Sequence, residues 1–341
     1  MLVNKLKYFL EEQVTADEFS GVVLIIKDGE SILEYMHGFS NIEKQIPISI
    51  DTKFNIGSMD KMFTAVAIAR LVQEKKLNFQ DKIIKYLPDF PKESAEKITV
   101  HHILTHTEGF DSYFNEKYRE NRLQLKTVSD YLDLFQDNKL LFTPGEKYQY
   151  SNSGYVVLGA IIEAISSKSY YEFIKENIFL IADMQDSGSF SLDKENIVTG
   201  YTYRKPFSEE LCEKRQSNIN HLPYRGSPAG GGYSTCWDLH NFSKALLEEK
   251  LLNSELTDEV LTPKEIVGTK NGTTLHYGYG FQILDVGDGN YRYGHGGAFA
   301  GANARLDMYP WLGYTVVVLS NYDQPAAFRI ANRAGELILT K

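Results

Sequence analysis

Ser58 and Lys61 stand three residues apart at the head of an apolar segment, and together they could perform nucleophilic chemistry. Residues three apart on a helix share one face. If a helix begins at Ser58, the hydroxyl and the amine lie close together in its first turn. Free backbone N–H groups and the helix dipole favour a developing anion there. Taken alone, however, the pattern fits a helix cap at Ser58 and a solvated Lys61 better.

Two further motifs follow in the chain. Tyr150-Ser151-Asn152 lies in a turn, just before an apolar segment that predicts a helix. His295-Gly296-Gly297 comes at the end of a predicted strand. A serine hydroxyl is a weak acid, so its attack on a carbonyl needs a neighbouring base. Lys61 and Tyr150 are the candidates, because an ammonium beside a phenol favours the phenolate.

In this order the three motifs resemble those of the serine β-lactamase and penicillin-binding-protein superfamily. The tyrosine of the second motif is similar to that of class C β-lactamases and of related esterases, D-amino-acid peptidases and DD-peptidases. The resemblance spans about residues 15–335 and includes residues 103–109 and 228–235.

The resemblance implies a role for each residue of the motifs. Ser58 would form an acyl-enzyme, with Lys61, Tyr150 or both as the base. Asn152 would contact Lys61 and the acyl side-chain amide of the substrate. The oxyanion would bind the backbone N–H groups of Ser58 and Ala298.

His295 departs from the family pattern, in which class C β-lactamases have lysine. A histidine is only partly charged near neutral pH and is a weaker anchor for a carboxylate. Gly296 lacks the hydroxyl that would bind the same carboxylate, whereas glycine at positions 296 and 297 would let the substrate lie against the strand edge. These differences favour ester or peptide substrates over β-lactams.

Composition excludes several other classes of function. The formal net charge of −9 argues against a nucleic-acid surface, and no run of apolar residues is long enough to span a bilayer. Cys212 and Cys236 make neither a disulfide framework nor a zinc site. His101, His102 and His106 lack a further ligand in a recognisable pattern, so we expect no metal and no cofactor.

Hydrophobic patterning predicts an α+β fold. Helices are predicted at 2–13, from 58, at 235–247 and at 325–340, a hairpin at 21–27 and 31–37, and strands at 277–284, 291–294, 302–309 and 314–320, whereas 185–227 reads as irregular. We expect an antiparallel sheet flanked by the first and last helices. Residues 1–77 and 236–341 would form this lobe, residues 78–235 a mostly helical lobe, and the site would lie in the cleft between them.

The sequence therefore predicts a serine hydrolase that acts on small ester or amide substrates, with D-amino-acid peptides and β-lactams among the candidates. There are two alternatives. One is a protein that binds penicillin or peptidoglycan peptides without turnover, and the other is a true class C-like β-lactamase. The expected partner is a small molecule or short peptide, and the oligomeric state is open. As the sequence stands it has no signal peptide, which favours the cytoplasm unless a leader has been removed.

Overall fold

The computed structural model describes residues 2–194, 196–208, 210–270 and 272–340. Its helices are α1 (Leu2–Thr15), α2 (Asp60–Gln73), α3 (Lys92–Ala95), α4 (Val100–Leu104), α5 (Glu116–Asn121), α6 (Val128–Leu132), α7 (Asn152–Ser166), α8 (Tyr170–Ile174), α9 (Cys236–Leu247), α10 (Ser254–Leu261) and α11 (Ala326–Leu339). A π-helical turn at Lys175–Phe179 continues α8, and short 3₁₀ turns occur at Ile83–Lys85, Asn218–His221 and Pro310–Leu312.

The strands are β1 (Gly21–Lys27), β2 (Glu30–His37), β3 (Phe39–Asn41), β4 (Ile46–Pro47), β5 (Phe54–Gly57), β6 (Gly188–Ser189), β7 (Tyr201–Arg204), β8 (Leu211–Ser217), β9 (Gly232–Ser234), β10 (Glu265–Lys270), β11 (Thr273–Tyr277), β12 (Gln282–Gly287), β13 (Asn290–Phe299), β14 (Ala302–Tyr309) and β15 (Tyr314–Ser320). Within the described residues, eight of them form one antiparallel sheet in the order β10-β11-β12-β13-β14-β15-β1-β2. Gly21 of β1 lies opposite Ser320 of β15, so strands from both ends of the chain complete the sheet.

Both faces of this sheet are covered, which explains why β1 is apolar along nearly its whole length. Alternate side chains of a strand point to opposite faces. Val23 and Ile25 pack against Leu6 of α1 and Ile330 of α11. Val22 and Leu24 belong to the larger core on the other face, which includes α2. The predicted α+β fold with terminal helices on an antiparallel sheet is confirmed, whereas the lobe boundaries at 77/78 and 235/236 stay a prediction.

Helix α2 lies inside the protein rather than on its surface. Nearly all of its residues are buried, and an apolar helix of this kind belongs to a core. The Phe63 ring packs edge-on against Phe179 at 5.2 Å and against Phe242 at 4.8 Å between centroids. This packing holds the helix that carries Lys61 in one position.

A small three-stranded sheet, β5-β9-β6, ties the start of α2 to the segment around Gly232. Strand β5 also lies directly against β13. A Cβ added to Gly297 would stand 1.8 Å from the carbonyl oxygen of Ile56, closer than any side chain can be. The absence of a side chain at Gly297 therefore sets the distance between the two strands.

The structure differs from the sequence-based prediction at several places. Helix α2 begins at Asp60, two residues after Ser58, and residues 185–227 contain the hairpin of β7 and β8. The predicted strand 277–284 is divided between β11, which ends at Tyr277, and β12, which begins at Gln282, with Gly280 at a φ of +80° in the turn between them. Helix α10 and strand β10 were not predicted, and β13 continues to Phe299 instead of ending at Gly294. Glycine-rich segments have low strand propensity, but β13 pairs with β14 from Tyr293 to Phe299. Among the described helices, none combines the length and apolar character needed to cross a bilayer.

Gly297→Ala is expected to destabilise the protein by about 1–3 kcal/mol, because the new methyl group would overlap the Ile56 carbonyl and force β5 away from β13. Urea unfolding measures the change. Gly268→Ala in β10 is the matched control, because its added Cβ would meet nothing within 4 Å, and it should change stability by less than about 0.5 kcal/mol. Equal stability of the two variants would contradict the close packing of β13 on β5.

Candidate active site

Ser58 lies in the turn between β5 and α2. The turn depends on Gly57, whose φ of +53° is costly for a residue with a side chain. A Cβ on Gly57 would stand 2.9 Å from the backbone nitrogen of Ala298. Gly57 thus lets the turn that carries Ser58 lie directly against the backbone of Ala298. The role of the Ser58 and Ala298 backbone N–H groups as donors to one oxyanion stays a prediction.

Lys61 is fully buried, and its ammonium group is held by two oxygen acceptors. Its Nζ donates to Oδ1 of Asn152 at 2.6 Å and to the backbone oxygen of Ala229 at 2.6 Å. Burial lowers the pKa of Lys61 to about 7, and the neighbouring Asp60 acts in the opposite direction. The amine therefore exchanges between its charged and neutral forms near neutral pH.

The Tyr150 hydroxyl interacts with the side chain of Ser58. Nζ of Lys61 stands 4.8 Å from the centroid of its ring. Although the residue as a whole is 39% exposed, desolvation raises the pKa of Tyr150 above its ordinary value, and the interaction with Ser58 offsets this rise only in part. Tyr150 therefore keeps its proton at neutral pH.

Asn152 is the first residue of α7. Ser151 caps this helix by accepting from the backbone N–H of Gly154 at 3.3 Å. Oδ1 of Asn152 accepts the bond from Lys61, which leaves the amide N–H donors of Asn152 for the cavity that this residue lines.

His295 is buried inside β13, with 1% exposure. Its Nδ1 donates to the backbone oxygen of Gly296 at 2.6 Å, so Nε2 accepts from the Tyr277 hydroxyl at 3.0 Å. Burial lowers the pKa of His295 to about 3, with the charges of Lys61 and Arg305 acting in the same direction. The ring is therefore neutral rather than partly charged as the residue type suggested. Direct contact between His295 and a substrate stays a prediction.

Packing requires glycine at position 297 and favours it at position 296. A Cβ on Gly296 would stand 2.7 Å from the ring of Phe328 in α11, and one on Gly297 would overlap β5. The sequence predicted that these positions make room for a substrate. Contact of Gly296 and Gly297 with a substrate also stays a prediction.

One part of the site, Asp60, was missed in the sequence. Oδ2 of Asp60, itself 7% exposed, accepts from the backbone N–H of Gly232 at 2.5 Å. Burial raises the pKa of Asp60 to about 7. Asp60 thereby anchors the glycine-rich segment whose Ala229 carbonyl holds Lys61. The sequence signal that could have identified Asp60 is the presence of an acidic residue between Ser58 and Lys61.

The three histidines have separate partners. Nδ1 of His101 is hydrogen-bonded to Tyr279, and Nδ1 of His102 accepts from the backbone N–H of Thr99. His106 lies under the Tyr150 ring, at 4.4 Å between centroids. Among the described residues, no group of three or more His, Cys, Asp or Glu could hold a metal ion.

Beside Ser58 lies a cavity of about 230 Å³, here called the inner cavity. None of the described residues in its wall is charged. Besides Ser58 and Asn152, the wall is mainly aromatic and aliphatic, with Tyr113, Phe114, Tyr131, Phe190, Leu222 and Phe299. Such a wall favours an apolar substituent.

Lys61 should titrate near pH 7, and Asp60→Asn should move its midpoint to lower pH, because the substitution removes the negative charge that opposes burial. The ¹³C NMR shift of the lysine Cε resonances measures the midpoint, and Lys61→Arg identifies the resonance by removing it. Glu93→Gln, which alters an exposed acid on α3, should leave the midpoint unchanged. A midpoint near 10 in the wild type would contradict the burial argument.

Comparison with known proteins gives a consistent result. The family model described as Beta-lactamase matches residues 8–340. Penicillin-binding protein 4* of Bacillus subtilis (strain 168) is 28% identical over 333 residues, which cover 94% of this chain and 72% of that protein. These matches confirm the resemblance inferred from the three motifs.

Solved structures agree. A penicillin binding protein from Bacillus halodurans has a TM-score of 0.85 and 31% identity, covering 96% of this chain and 98% of that one. D-amino acid amidase from Ochrobactrum anthropi SV3, solved with D-phenylalanine, has a TM-score of 0.84 over 99% of both chains, and its 22% identity shows the fold alone. The chain therefore belongs to the β-lactamase family and is a serine hydrolase of the β-lactamase/transpeptidase fold.

Proposed function

We propose that the protein hydrolyses small esters or amides, D-amino-acid amides and peptides among them, through an acyl-enzyme on Ser58. One observation carries the proposal: Nζ of Lys61, whose pKa is about 7, stands 4.8 Å from the ring centroid of Tyr150, which keeps its proton and interacts with Ser58. Neutral Lys61 can then accept a proton while Tyr150 supplies one.

In the proposed reaction, neutral Lys61 takes the proton of Ser58 as the serine oxygen attacks the substrate carbonyl. The backbone N–H groups of Ser58 and Ala298 stabilise the resulting oxyanion. Tyr150 donates its proton to the leaving group as the bond to the carbonyl carbon breaks. Water then attacks the ester on Ser58 and gives its proton to the Tyr150 phenolate. The bond between the acyl carbon and the Ser58 oxygen breaks, Lys61 returns its proton to that oxygen, and the acid product leaves.

The acyl part of the substrate would occupy the inner cavity. Its aromatic wall suits a large apolar side chain next to the scissile carbonyl, and the free N–H donors of Asn152 suit an amide oxygen there. The amidase of similar fold, solved with D-phenylalanine, supports a D-amino-acid amide as the first substrate to test.

Binding of penicillin without turnover is the second candidate, favoured by the penicillin-binding proteins among the relatives. Efficient β-lactamase action has less support. His295 is neutral and buried, and Gly296 offers no hydroxyl to hold a β-lactam carboxylate.

The wild type should be labelled by a fluorophosphonate, with one adduct by intact mass, and should release product from a p-nitrophenyl ester. Ser58→Ala should show neither, because it lacks the nucleophile. Absence of an adduct and of turnover in the wild type would overturn the proposal. A lasting penicillin adduct without ester turnover would support the binding protein instead.

Tyr150→Phe should reduce kcat/KM on a D-phenylalanine amide by about 10²–10⁴, because an amine leaving group needs a proton. The loss on a p-nitrophenyl ester should be smaller, about tenfold, because p-nitrophenolate leaves without one. Tyr148→Phe removes a neighbouring hydroxyl and should change neither substrate much. Equal losses on the amide and the ester would contradict the role of Tyr150 as proton donor.

A further inference from the structure

Beyond the inner cavity the cleft widens into a second space of about 450 Å³, here called the outer cavity. The two cavities share Phe114, Tyr118, Ala298 and Phe299 in their walls, so they lie next to each other. A substrate that fills the inner cavity can therefore extend past Phe299 into the outer one.

The outer cavity differs from the inner one in charge. Arg119, Arg204 and Lys205 line it, and none of the described residues in its wall is acidic. This is unusual on a chain of formal net charge −9. The cations come from different parts of the chain, Arg119 from α5 and Arg204 from the end of β7, and they converge on one space.

The two arginines are available to a ligand. Within the described residues, neither Arg119 nor Arg204 makes a salt bridge, whereas Arg215 on the adjacent β8 is paired with Asp17. Lys205 is paired with Glu210 at 2.7 Å. Nε2 of the buried His221 donates to the backbone oxygen of Arg204 at 3.1 Å, which holds the main chain at this position.

The position of Tyr150 indicates which part of the substrate reaches the outer cavity. A proton donor to the leaving group must lie beside that group. Tyr150 is in the wall of neither cavity. Because Asn152, the residue proposed to bind the acyl amide, is in the inner wall and Tyr150 is in neither wall, we assign both cavities to the acyl part of the substrate.

We infer that the outer cavity is a binding site for an anionic group at the far end of the acyl part, an inference that rests on the proposed function. The preferred substrate then carries an apolar side chain next to the scissile carbonyl and a carboxylate or phosphate-like group beyond Phe299. The planar guanidinium groups of Arg119 and Arg204 suit either anion. Since both arginines are exposed, they act mainly on substrate capture and preference.

The test uses two p-nitroanilides of D-phenylalanine that differ only in the terminal group of the N-acyl chain. One carries a glutaryl chain with a free carboxylate, and the other carries its neutral terminal amide. The wild type should prefer the carboxylate in kcat/KM by roughly threefold to tenfold at low salt, mainly through KM, and salt should reduce this preference. A 4-phosphonobutanoyl chain in place of glutaryl shows whether a phosphonate is preferred over a carboxylate.

Arg119→Gln, Arg204→Gln and the double variant should lower the preference for the carboxylate substrate stepwise towards one, mainly by raising its KM. Lys214→Gln is the matched control, since it removes an exposed charge on β8 that is outside the cavity wall. A wild-type ratio near one, or an equal loss in the control, would overturn the inference.

Binding to Ser58→Ala separates this inference from the proposed function. D-phenylalanine amide is prepared with either the glutaryl chain or its neutral terminal amide on the amino group. Each ligand is titrated into the Ser58→Ala variant, and its affinity is measured by calorimetry. Tighter binding of the carboxylate, lost in the double arginine variant, supports the outer site even if the wild type turns over neither substrate. Equal binding of both ligands overturns the site even if the wild type is active.

Discussion

The burial of one amine, that of Lys61, is the constraint on which the site depends. A buried ammonium costs free energy unless it is bonded, so the protein must supply acceptors where the Nζ ends. It does so from two distant parts of the chain, Asn152 at the start of α7 and the Ala229 carbonyl. Because the two hydrogen bonds offset only part of the cost of burial, the pKa of Lys61 stays near 7, and the amine remains able to lose its proton.

The remainder of the fold holds the partners of Lys61 in place. Helix α2 is locked by aromatic packing, Asp60 fastens the segment that carries Ala229, and Gly57 and Gly297 bring β5 against β13. Each of these contacts lies between elements far apart in sequence. The site is therefore a product of the complete sheet and its core rather than of any single motif.

Much of this could be predicted from the sequence. The terminal helices, the β1–β2 hairpin and the late strands follow from apolar patterning, and the three motifs led to the family. The end of β13 could not be predicted, for a physical reason. Gly294 to Gly297 have little strand propensity of their own, and only pairing with β14 makes them a strand.

The chemistry of single residues was harder to predict. His295 is titratable near neutral pH as a residue type, but burial makes it neutral, and that depends on neighbours such as Tyr277 that no local pattern indicates. Asp60 was overlooked because it is an ordinary polar residue at a helix start until the structure places Gly232 against it. Burial and long-range contacts decide both cases.

The pH dependence of acylation tests the central claim most directly, that Lys61 is the base and is partly neutral at physiological pH. The measurement is kcat/KM for an activated ester against pH, which reports the ionisation of the free enzyme. Because the reactive form is the neutral amine, the rate should rise with pH and reach half its plateau near pH 7. Lys61→Arg should lose the activity at every pH. A wild-type rate that does not change from pH 5 to pH 9, or a Lys61→Arg enzyme with the wild-type profile, would contradict the account.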